Sequence, residues 1–324
     1  STRWDPELVD IVINNSNLGF PIESALPEIR SSSEVYGNVH DTCGIKSSLI
    51  CGVPISGILG DQQSALFGQA CFTPGDAKCT YGTGLFLMMN TGVGSPVPSK
   101  HGLLSTVAYK LGGVDGEVCY ALEGSVSHSG SVIQWLRDQL QIISDASESE
   151  KFAGLTSSND GMYFVPAFAG LFAPYWRSDA RGCIVGMTAT HSKNHICRAA
   201  LEATAYQAMD VFDAINKDSG TTLKSLKVDG GMTANNLLMQ FQSDMISVPV
   251  VLPQVSETTA IGAAFAAGLA VNVWQSVEDI KSMWSANKTW KPSMEPKNRA
   301  CYIKGWKKAI TKSFGWVEEN VVED

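Results

Sequence analysis

The chain of 324 residues has no excess of basic charge and no long apolar run. It carries 24 lysines and arginines against 32 aspartates and glutamates, a formal net charge of −8, and the basic residues are spread thinly. Binding of nucleic acid or of anionic lipid needs a clustered basic face, so neither is expected as a partner. The apolar run at residues 260–271, which has no charged or strongly polar group, spans about 12 residues, whereas a membrane span needs roughly 18. We therefore predict no transmembrane segment, and a packed helix at this run.

Cysteine is sparse, with eight residues and no pair spaced as Cys-x-x-Cys. This pattern disfavours a zinc site or a disulfide scaffold and favours reduced thiols in a cytoplasmic protein. The sequence also lacks Gly-x₄-Gly-Lys-Ser/Thr, which excludes an ordinary P-loop. It lacks Gly-x-Gly-x-x-Gly as well, which disfavours a dinucleotide-binding fold. A content of 44% hydrophobic and 17% charged residues is enough to bury a sizeable core.

Apolar stretches bounded by glycine or proline alternate with stretches that have helical periodicity. The alternation predicts an α/β architecture, a mixed sheet with helices on both faces. The predicted strands are 53–59, 86–90, 162–167, 226–228 and 248–252, and the predicted helices are 132–143, 195–217, 236–246 and 260–270.

Asp61 stands where a predicted strand ends and a predicted helix begins, in the segment Gly57-Ile-Leu-Gly-Asp-Gln-Gln-Ser. One interpretation is an N-cap whose carboxylate accepts amides of the first helical turn. The other is a general base at the carboxyl edge of a sheet, where α/β proteins bind their ligands. The motif alone favours the cap.

Residues 81–84, Tyr-Gly-Thr-Gly, lie between two strand-like stretches. They predict a tight hairpin with positive φ at the glycines, or a loop that brings backbone amides and the Thr83 hydroxyl to a phosphate. Farther along, Gly130 and Gln134 are four residues apart at the start of an amphipathic helix with Ile133, Leu136 and Leu140 on one side. The free amides of that helix end would suit a phosphate. His128, just before it, is interpreted as structural.

Residues 229–236, Asp-Gly-Gly-Met-Thr-Ala-Asn-Asn, follow a short predicted strand and precede a predicted helix. The two glycines of this turn predict a close approach of backbone to a ligand such as a nucleotide. A plain turn with Thr233 or Asn235 as the helix cap explains the polar residues but not the need for two glycines.

Together and in this order, these motifs resemble the carboxyl-terminal part of the FGGY carbohydrate kinases, and among them the members that act on glycerol. Residues 54–68 resemble the family's catalytic-aspartate segment, 75–91 its phosphate hairpin, 182–202 its second signature and 229–236 its adenosine-contacting turn. Segments 164–168, 173–176 and 180–182 are also similar. The resemblance covers about residues 31–316.

The resemblance implies a fold of two actin-like, ribonuclease H-like ATPase domains with the active site in the cleft between them. Residues 1–69 would be the tail of the first domain and 70–324 the second, nucleotide-binding domain. Asp61 would be the general base and, indirectly, a Mg²⁺ contact; Gln62 and Phe86 would bind the polyol. The nucleotide-lining residues would be Thr83, Gly130, Gln134, Gly231 and Asn235.

The implied reaction is in-line transfer of the ATP γ-phosphoryl group to a terminal hydroxyl of glycerol, with ATP and Mg²⁺ as cofactors. The resemblance also implies a homo-oligomer through the second domain and a cytoplasmic protein, with peripheral association with mitochondria as an alternative. Rival interpretations are another FGGY kinase acting on a pentulose or related polyol, and a non-catalytic actin-like nucleotide-binding module.

No phosphate loop of the family's amino-terminal form, Asp-x-Gly-Thr, precedes the catalytic-aspartate segment in this sequence, and neither do the arginine, glutamate and aromatic residues that hold glycerol from that half. The expectation is therefore a chain that lacks the amino-terminal half and is inactive alone. Residues 38–51 are more similar to the eukaryotic members than to the bacterial loop that binds a sugar-phosphate regulator.

Overall fold

The computed structural model describes residues 3–14, 25–40, 50–113 and 115–318. In this part of the chain the strands are β1 (Ser33–Asn38), β2 (Pro54–Gly57), β3 (Ala77–Tyr81), β4 (Leu85–Val93), β5 (Leu104–Lys110), β6 (Val118–Val126), β7 (Tyr163–Val165), β8 (Cys183–Val185), β9 (Leu226–Asp229), β10 (Val250–Pro253) and β11 (Ala286–Trp290). The helices are α1 (Pro6–Asn14), α2 (Asp61–Gly68), α3 (Gly130–Asp138), α4 (Glu148–Ala153), α5 (Lys193–Ser219), α6 (Asn236–Ile246), α7 (Thr258–Ala270), α8 (Val277–Met283) and α9 (Pro296–Ile310).

Seven strands form one mixed sheet in the order β11-β10-β9-β3-β4-β6-β5. β3, β9 and β10 run parallel to one another, while β4, β6, β5 and β11 pair antiparallel with their neighbours. β1 and β2 form a separate antiparallel pair, as do β7 and β8. The predicted mixed α/β sheet is therefore confirmed.

The sheet buries a core on each face, which the alternation of side chains along β3 and β4 explains. On one face, Cys79, Leu85 and Leu87 join a large cluster with α3, α5 and α6. On the other face, Met88 packs in a smaller cluster with residues of α2 and α7. Helices thus lie on both faces, as predicted.

Most predicted elements are present, with shifted ends. The helix predicted at 236–246 has these bounds, and those predicted at 195–217 and 260–270 extend slightly as α5 and α7. The helix predicted at 132–143 begins earlier and ends at Asp138; soon after it Gln141 has φ 54°, a conformation that a helix does not contain. Leu140 is consequently 40% exposed instead of joining the apolar side.

Helix α2, which carries Asp61 and Gln62, is held in place by very close packing on α7. A Cβ atom on Gly68 would lie 2.0 Å from the carbonyl oxygen of Thr258, and one on Gly262 would lie 1.9 Å from that of Ser64. Only glycine allows the two backbones to approach this closely. The run at 260–271 is therefore a packed helix, as predicted, and it fixes the start of α2 relative to the sheet.

The β1–β2 pair packs on the same helix, since Ser33 Oγ and Ser56 Oγ donate to carbonyls of Ala266 and Ala267 at 2.7 and 3.1 Å. The predicted domain boundary near residue 69 remains a prediction, because α2 on its amino-terminal side packs on the sheet that follows. Of the stretch 38–51, residues 41–49 lie outside the described residues. No helix in the described ranges is long and apolar enough to cross a membrane.

Candidate active site

A cavity of about 400 Å³ lies between the β3–β4 hairpin, α3 and the turn that precedes α6. All five residues predicted to line the nucleotide, which come from three separated segments, contribute to its wall: Thr83, Gly130, Gln134, Gly231 and Asn235. The fold therefore brings these residues together, as the spacing and the resemblance suggested. Whether they bind a nucleotide stays a prediction.

The wall of the cavity combines apolar and polar surfaces. Ile133, Leu201, Met232 and Ala234 supply apolar surface, while the polar side chains come from α3, from residues 147–150, from the hairpin and from Asn235. Mixed walls of this kind suit a flat aromatic ring with polar edges.

The hairpin tip lies beside the cavity, with Gly82 and Thr83 exposed. The expected positive φ at its glycines is wrong: neither Gly82 nor Gly84 has φ in the left-handed region. Gly84 is needed for a different reason, because its Cβ would lie 2.6 Å from the carbonyl oxygen of Val126 on the neighbouring strand. The tip is thus tied to β6 and presents Thr83 outward.

The start of α3 does not offer the free amides that the sequence suggested. The amides of Ser129 and Ser131 donate to the Thr83 carbonyl at 3.0 and 3.1 Å, and that of Gly130 donates to Gly82 at 2.9 Å. These bonds anchor the hairpin to the helix, so the helix end is already occupied. His128 is half-buried, edge-on to Phe168, and burial lowers its pKa, which fits the structural role predicted for it.

The two glycines of the turn before α6 serve different purposes. Gly230 has φ 91°, and a Cβ there would lie 2.4 Å from the carbonyl oxygen of Tyr81, so it permits close contact with β3. Apart from its chain neighbours, no atom of the described residues lies within 4 Å of the Cβ position of Gly231, which lines the cavity and so leaves space there. Asp229 is buried and accepts bonds from Gln69 and Thr258, both at 2.8 Å.

The start of α6 is capped from two sides. Asn235 Oδ1 accepts the amide of Leu238 at 2.9 Å, so Asn235 is the helix cap as well as part of the cavity wall. Glu150 Oε1 accepts the amides of Asn236 and Leu237 at 2.9 and 3.1 Å. Both interpretations of Asn235 therefore hold geometrically. The amides at this helix end are largely satisfied by protein acceptors.

Asp61 is exposed at the first residue of α2, and the cap interpretation favoured by its motif is wrong. The cap position is Gly60, which has no side-chain capping bond. The Asp61 carboxylate accepts the amide of Gln62 at 2.8 Å and its side-chain Nε2 at 3.3 Å. It is therefore open to a further ligand.

Gln62 and Phe86 lie on the same face of the sheet as Asp61. Gln62 Oε1 accepts a hydrogen bond from Lys78, which also donates to Thr80 Oγ1 at 3.0 Å. Thr80 pairs with the half-buried Phe86 across β3 and β4. Gln62 and Phe86, the two residues predicted to bind the polyol, are therefore linked through Lys78 and Thr80.

Three polar residues around these sites were not predicted from the sequence: Lys78, Glu123 and Glu150. Lys78 is fully buried, and Glu123, opposite Met88 on β6, has a pKa raised by burial. The available signal was the charge of Lys78 between Ala77 and Cys79 in a strand-like stretch.

Known proteins resemble the chain over nearly all of its length. The family model described as "FGGY family of carbohydrate kinases, C-terminal domain" matches residues 77–271, and the corresponding amino-terminal model matches residues 1–68. Proteins named glycerol kinase from Renibacterium salmoninarum and Leifsonia xyli are 57% and 55% identical over 98% of the chain. The chain spans 60% of the length of each of these relatives.

Solved structures give the same result for the fold. The crystal structure of Plasmodium falciparum glycerol kinase with ADP is 39% identical, with a TM-score of 0.85 over 98% of this chain and 60% of that one. A ligand-bound xylulose kinase from Lactobacillus acidophilus, 22% identical, has a TM-score of 0.79 over 97% of this chain and 62% of that one. The predicted actin-like ATPase fold is therefore confirmed.

The match of the amino-terminal family model to residues 1–68 bears on one expectation. Because part of that domain is recognised in the chain, the expected lack of the amino-terminal half is not confirmed. The carboxyl-terminal family model alone covers more than half of the chain, and it contains most of the cavity residues described above. The chain belongs to the FGGY family of carbohydrate kinases.

Proposed function

We propose that the protein transfers the γ-phosphoryl group of ATP to a terminal hydroxyl of glycerol, which yields glycerol 3-phosphate and ADP. The observation that carries the proposal is the pairing of a nucleotide-sized cavity with an exposed carboxylate, Asp61, near one hairpin. Relatives named glycerol kinase, at 54–57% identity, support glycerol as the acceptor. The xylulose kinase is far less similar in sequence.

The nucleoside would occupy the cavity, with its base against Ile133 and Met232 and beside the open space at Gly231. The phosphates would lie at the hairpin tip, because the amides at the starts of α3 and α6 already have protein acceptors. Gly82 and Thr83 are exposed there, and the Thr83 hydroxyl is a further donor. This arrangement directs the γ-phosphate away from α6.

Asp61 would accept the proton of the attacking hydroxyl. An exposed carboxylate that accepts only two bonds from Gln62 keeps lone pairs free for this bond. The oxygen of glycerol forms the new bond to phosphorus, the bond from phosphorus to the bridging oxygen of ADP breaks, and the proton goes to the Asp61 carboxylate. General-base catalysis of this kind contributes roughly 10²–10⁴-fold. Gln62 and Phe86 would hold the polyol beside it.

The residues of the site also fit Mg²⁺ as the partner of ATP. The described part of the chain has no group of three His, Cys, Asp or Glu side chains placed to hold a metal ion. Mg²⁺ in kinases is held by one or two carboxylates together with substrate phosphates and water, and Asp61 would contribute to this indirectly. The ion would neutralise phosphate charge when ATP is bound.

We also propose that residues 1–69 and 70–324 belong to two domains of the kinase. The two family models support the division, since they meet between residues 68 and 77. Glycerol would then bind at the junction, near Asp61 and Phe86.

The test is ADP release by the native protein with Mg-ATP and either glycerol, xylulose or no acceptor, followed by identification of the phosphorylated product. We expect glycerol-dependent turnover with glycerol 3-phosphate as the product. The rate of ADP release with xylulose should be close to the rate without any acceptor. Preference for xylulose would favour the pentulose kinase alternative. Binding of ADP without any acceptor-dependent turnover would favour a non-catalytic nucleotide-binding module.

A further inference from the structure

Lys78 is a buried lysine beside the proposed acceptor site. It lies on β3, between core residues that face the opposite side of the sheet, and its side chain is fully buried. Nζ donates to Gln62 Oε1 and to Thr80 Oγ1. Among the described residues, no carboxylate lies within ion-pairing distance of it. Burial of an ammonium group without a paired carboxylate is costly, so a packing role alone does not account for a lysine here.

Several charged groups surround Lys78 at longer range. Burial lowers the pKa of Lys78, whereas Asp229 on β9 and Glu123 on β6 act in the opposite direction. Glu123 in turn is influenced by Lys78 and by Asp61. Lys78 is joined to the carboxylate of the proposed base by hydrogen bonds through one residue, Gln62.

The chemistry of the three groups allows only one orientation of the Gln62 amide. An ammonium group only donates hydrogen bonds, so it requires the amide oxygen on its side. A carboxylate only accepts, so Asp61 requires the amide nitrogen, and Nε2 does lie 3.3 Å from Oδ2. If the amide turned over, oxygen would face oxygen at Asp61. In its protonated form, Lys78 therefore selects the orientation that supports Asp61.

We propose that Lys78 is a positioning residue for phosphoryl transfer: it fixes the amide of Gln62, and Gln62 holds the Asp61 carboxylate in place for the acceptor hydroxyl. The inference rests on the proposed function for its effect on turnover. The orientation of Gln62 is a property of the protein alone.

The central variant is Lys78→Met, which keeps an unbranched side chain of similar length and removes the donor. The matched control is Lys227→Met on the neighbouring strand. Lys227 lies directly beside Lys78 in the β3–β9 register, but it donates to the carbonyls of Gln69 and Ala70. Both variants remove a lysine from the same sheet, and only the first one removes a contact with Gln62.

Turnover is measured first. Lys78→Met is expected to lower kcat about 10²-fold, the cost of a misplacement of about 1 Å, with the affinity for ADP unchanged. Lys227→Met is expected to keep kcat within about twofold of wild type. In a Gln62→Ala background, Lys78→Met should cause little further loss, because its effect passes through Gln62. A kcat of Lys78→Met near wild type, or a further tenfold loss in the Gln62→Ala background, would overturn the inference.

A second readout does not depend on activity. In protein labelled with ¹⁵N-glutamine, the side-chain NH₂ resonances of Gln62, identified by their loss in Gln62→Ala, are expected to shift and broaden in Lys78→Met but not in Lys227→Met. Unchanged Gln62 resonances in Lys78→Met would refute the orienting role. If wild type shows no glycerol-dependent turnover but these resonances respond, the proposed function fails while the orienting contact stands.

Thr80→Val replaces Lys78→Met as the test variant if Lys78→Met does not fold. It removes the second acceptor of Nζ with little change in volume. We expect about a tenfold lower kcat, because the Lys78 ammonium loses one of its two hydrogen-bond acceptors, and a shift of the Gln62 resonances. Wild-type kcat together with unshifted resonances would count against the inference.

Discussion

The carboxylate of Glu150, on α4, accepts the backbone amide of Asn236 at 2.9 Å, at the first residue of α6. An acidic side chain thus occupies a helix end that forms part of the cavity wall. Helix starts with free amides attract phosphate. The start of α6 is already neutralised by the Glu150 carboxylate. We therefore place the nucleoside in the cavity and the phosphates at the hairpin tip.

Replacement of Glu150 should separate the effect of its charge from its role as a cap. Glu150→Gln keeps an oxygen acceptor for the two amides and removes a negative charge from the cavity wall, so ADP should bind severalfold more tightly at nearly unchanged stability. Glu150→Ala also loses the cap, at about 1 kcal/mol. Calorimetric titration with ADP and urea denaturation measure the two effects. Weaker ADP binding by Glu150→Gln would mean that Glu150 contacts the nucleotide directly.

Asp61→Asn should remove most turnover without loss of stability. The amide cannot accept the hydroxyl proton, and the expected loss in kcat is about 10²–10⁴-fold. Because Asp61 does not cap α2, the melting temperature should stay close to that of wild type, and ADP should bind with unchanged affinity. The measurements are acceptor-dependent ADP release, thermal unfolding and calorimetry. A clear loss of melting temperature at full turnover would instead support a capping role.

Gly230→Ala should destabilise the protein, because Gly230 has φ 91° and lies against the Tyr81 carbonyl. A strained backbone conformation of this kind costs about 1–3 kcal/mol, and the contact adds to it. Chemical denaturation of this variant and of Gly220→Ala provides the comparison. Gly220 has φ 65° and ψ 9° with open space around its Cβ position, so its variant carries only the cost of a left-handed helical conformation, about 1–2 kcal/mol. Equal losses in the two variants would show that the contact with Tyr81 is unimportant.

The buried Glu202 should make stability depend on pH. Burial raises its pKa from 4.5 to about 7, although Arg198 and Asn159 donate to its carboxylate. Between these two values the folded protein holds a proton that the unfolded chain releases, so this contribution to stability is complete below about pH 4.5 and is lost as pH rises through 7.

Glu202→Gln cannot titrate and should therefore lack this decline. The measurement is the free energy of unfolding in urea at pH 5, 6, 7 and 8 for wild type and Glu202→Gln, with Glu117→Gln as a control at an exposed carboxylate. The difference between Glu202→Gln and wild type should rise in favour of the variant from pH 5 to 8. A constant difference would show that Glu202 has the same pKa in the folded and unfolded protein.

Local patterns predicted those parts of the fold that depend on near neighbours. The helices at 236–246 and 195–217 follow from periodicity, and both are present. β6 was missed because Glu123, Gly124 and Ser125 interrupt its apolar pattern; in the sheet, Glu123 and Ser125 lie on the face near α2. Polar residues that face a site beneath a helix therefore interrupt the apolar pattern from which their strand would be predicted.

The site itself depends on contacts between distant segments, and here the sequence was less informative. The positions that line the cavity were found through the resemblance, but the pairing of the α3 amides with Gly82 and Thr83 joins residues more than 40 positions apart. Lys78 and Gln62, 16 positions apart, are likewise joined only in the folded protein. Composition and spacing carry no signal for which donor meets which acceptor across such distances.

Calorimetric titration of the chain with ADP, in wild type and Gly231→Val, tests the central claim that the cavity takes the nucleoside. The valine side chain would project into open space that only a ligand would fill, so the fold should be unaffected. The account predicts binding by wild type, at least tenfold weaker binding by Gly231→Val, and equal melting temperatures. Equal ADP affinity in the two proteins at equal melting temperatures would contradict it and would remove this cavity from the nucleotide site.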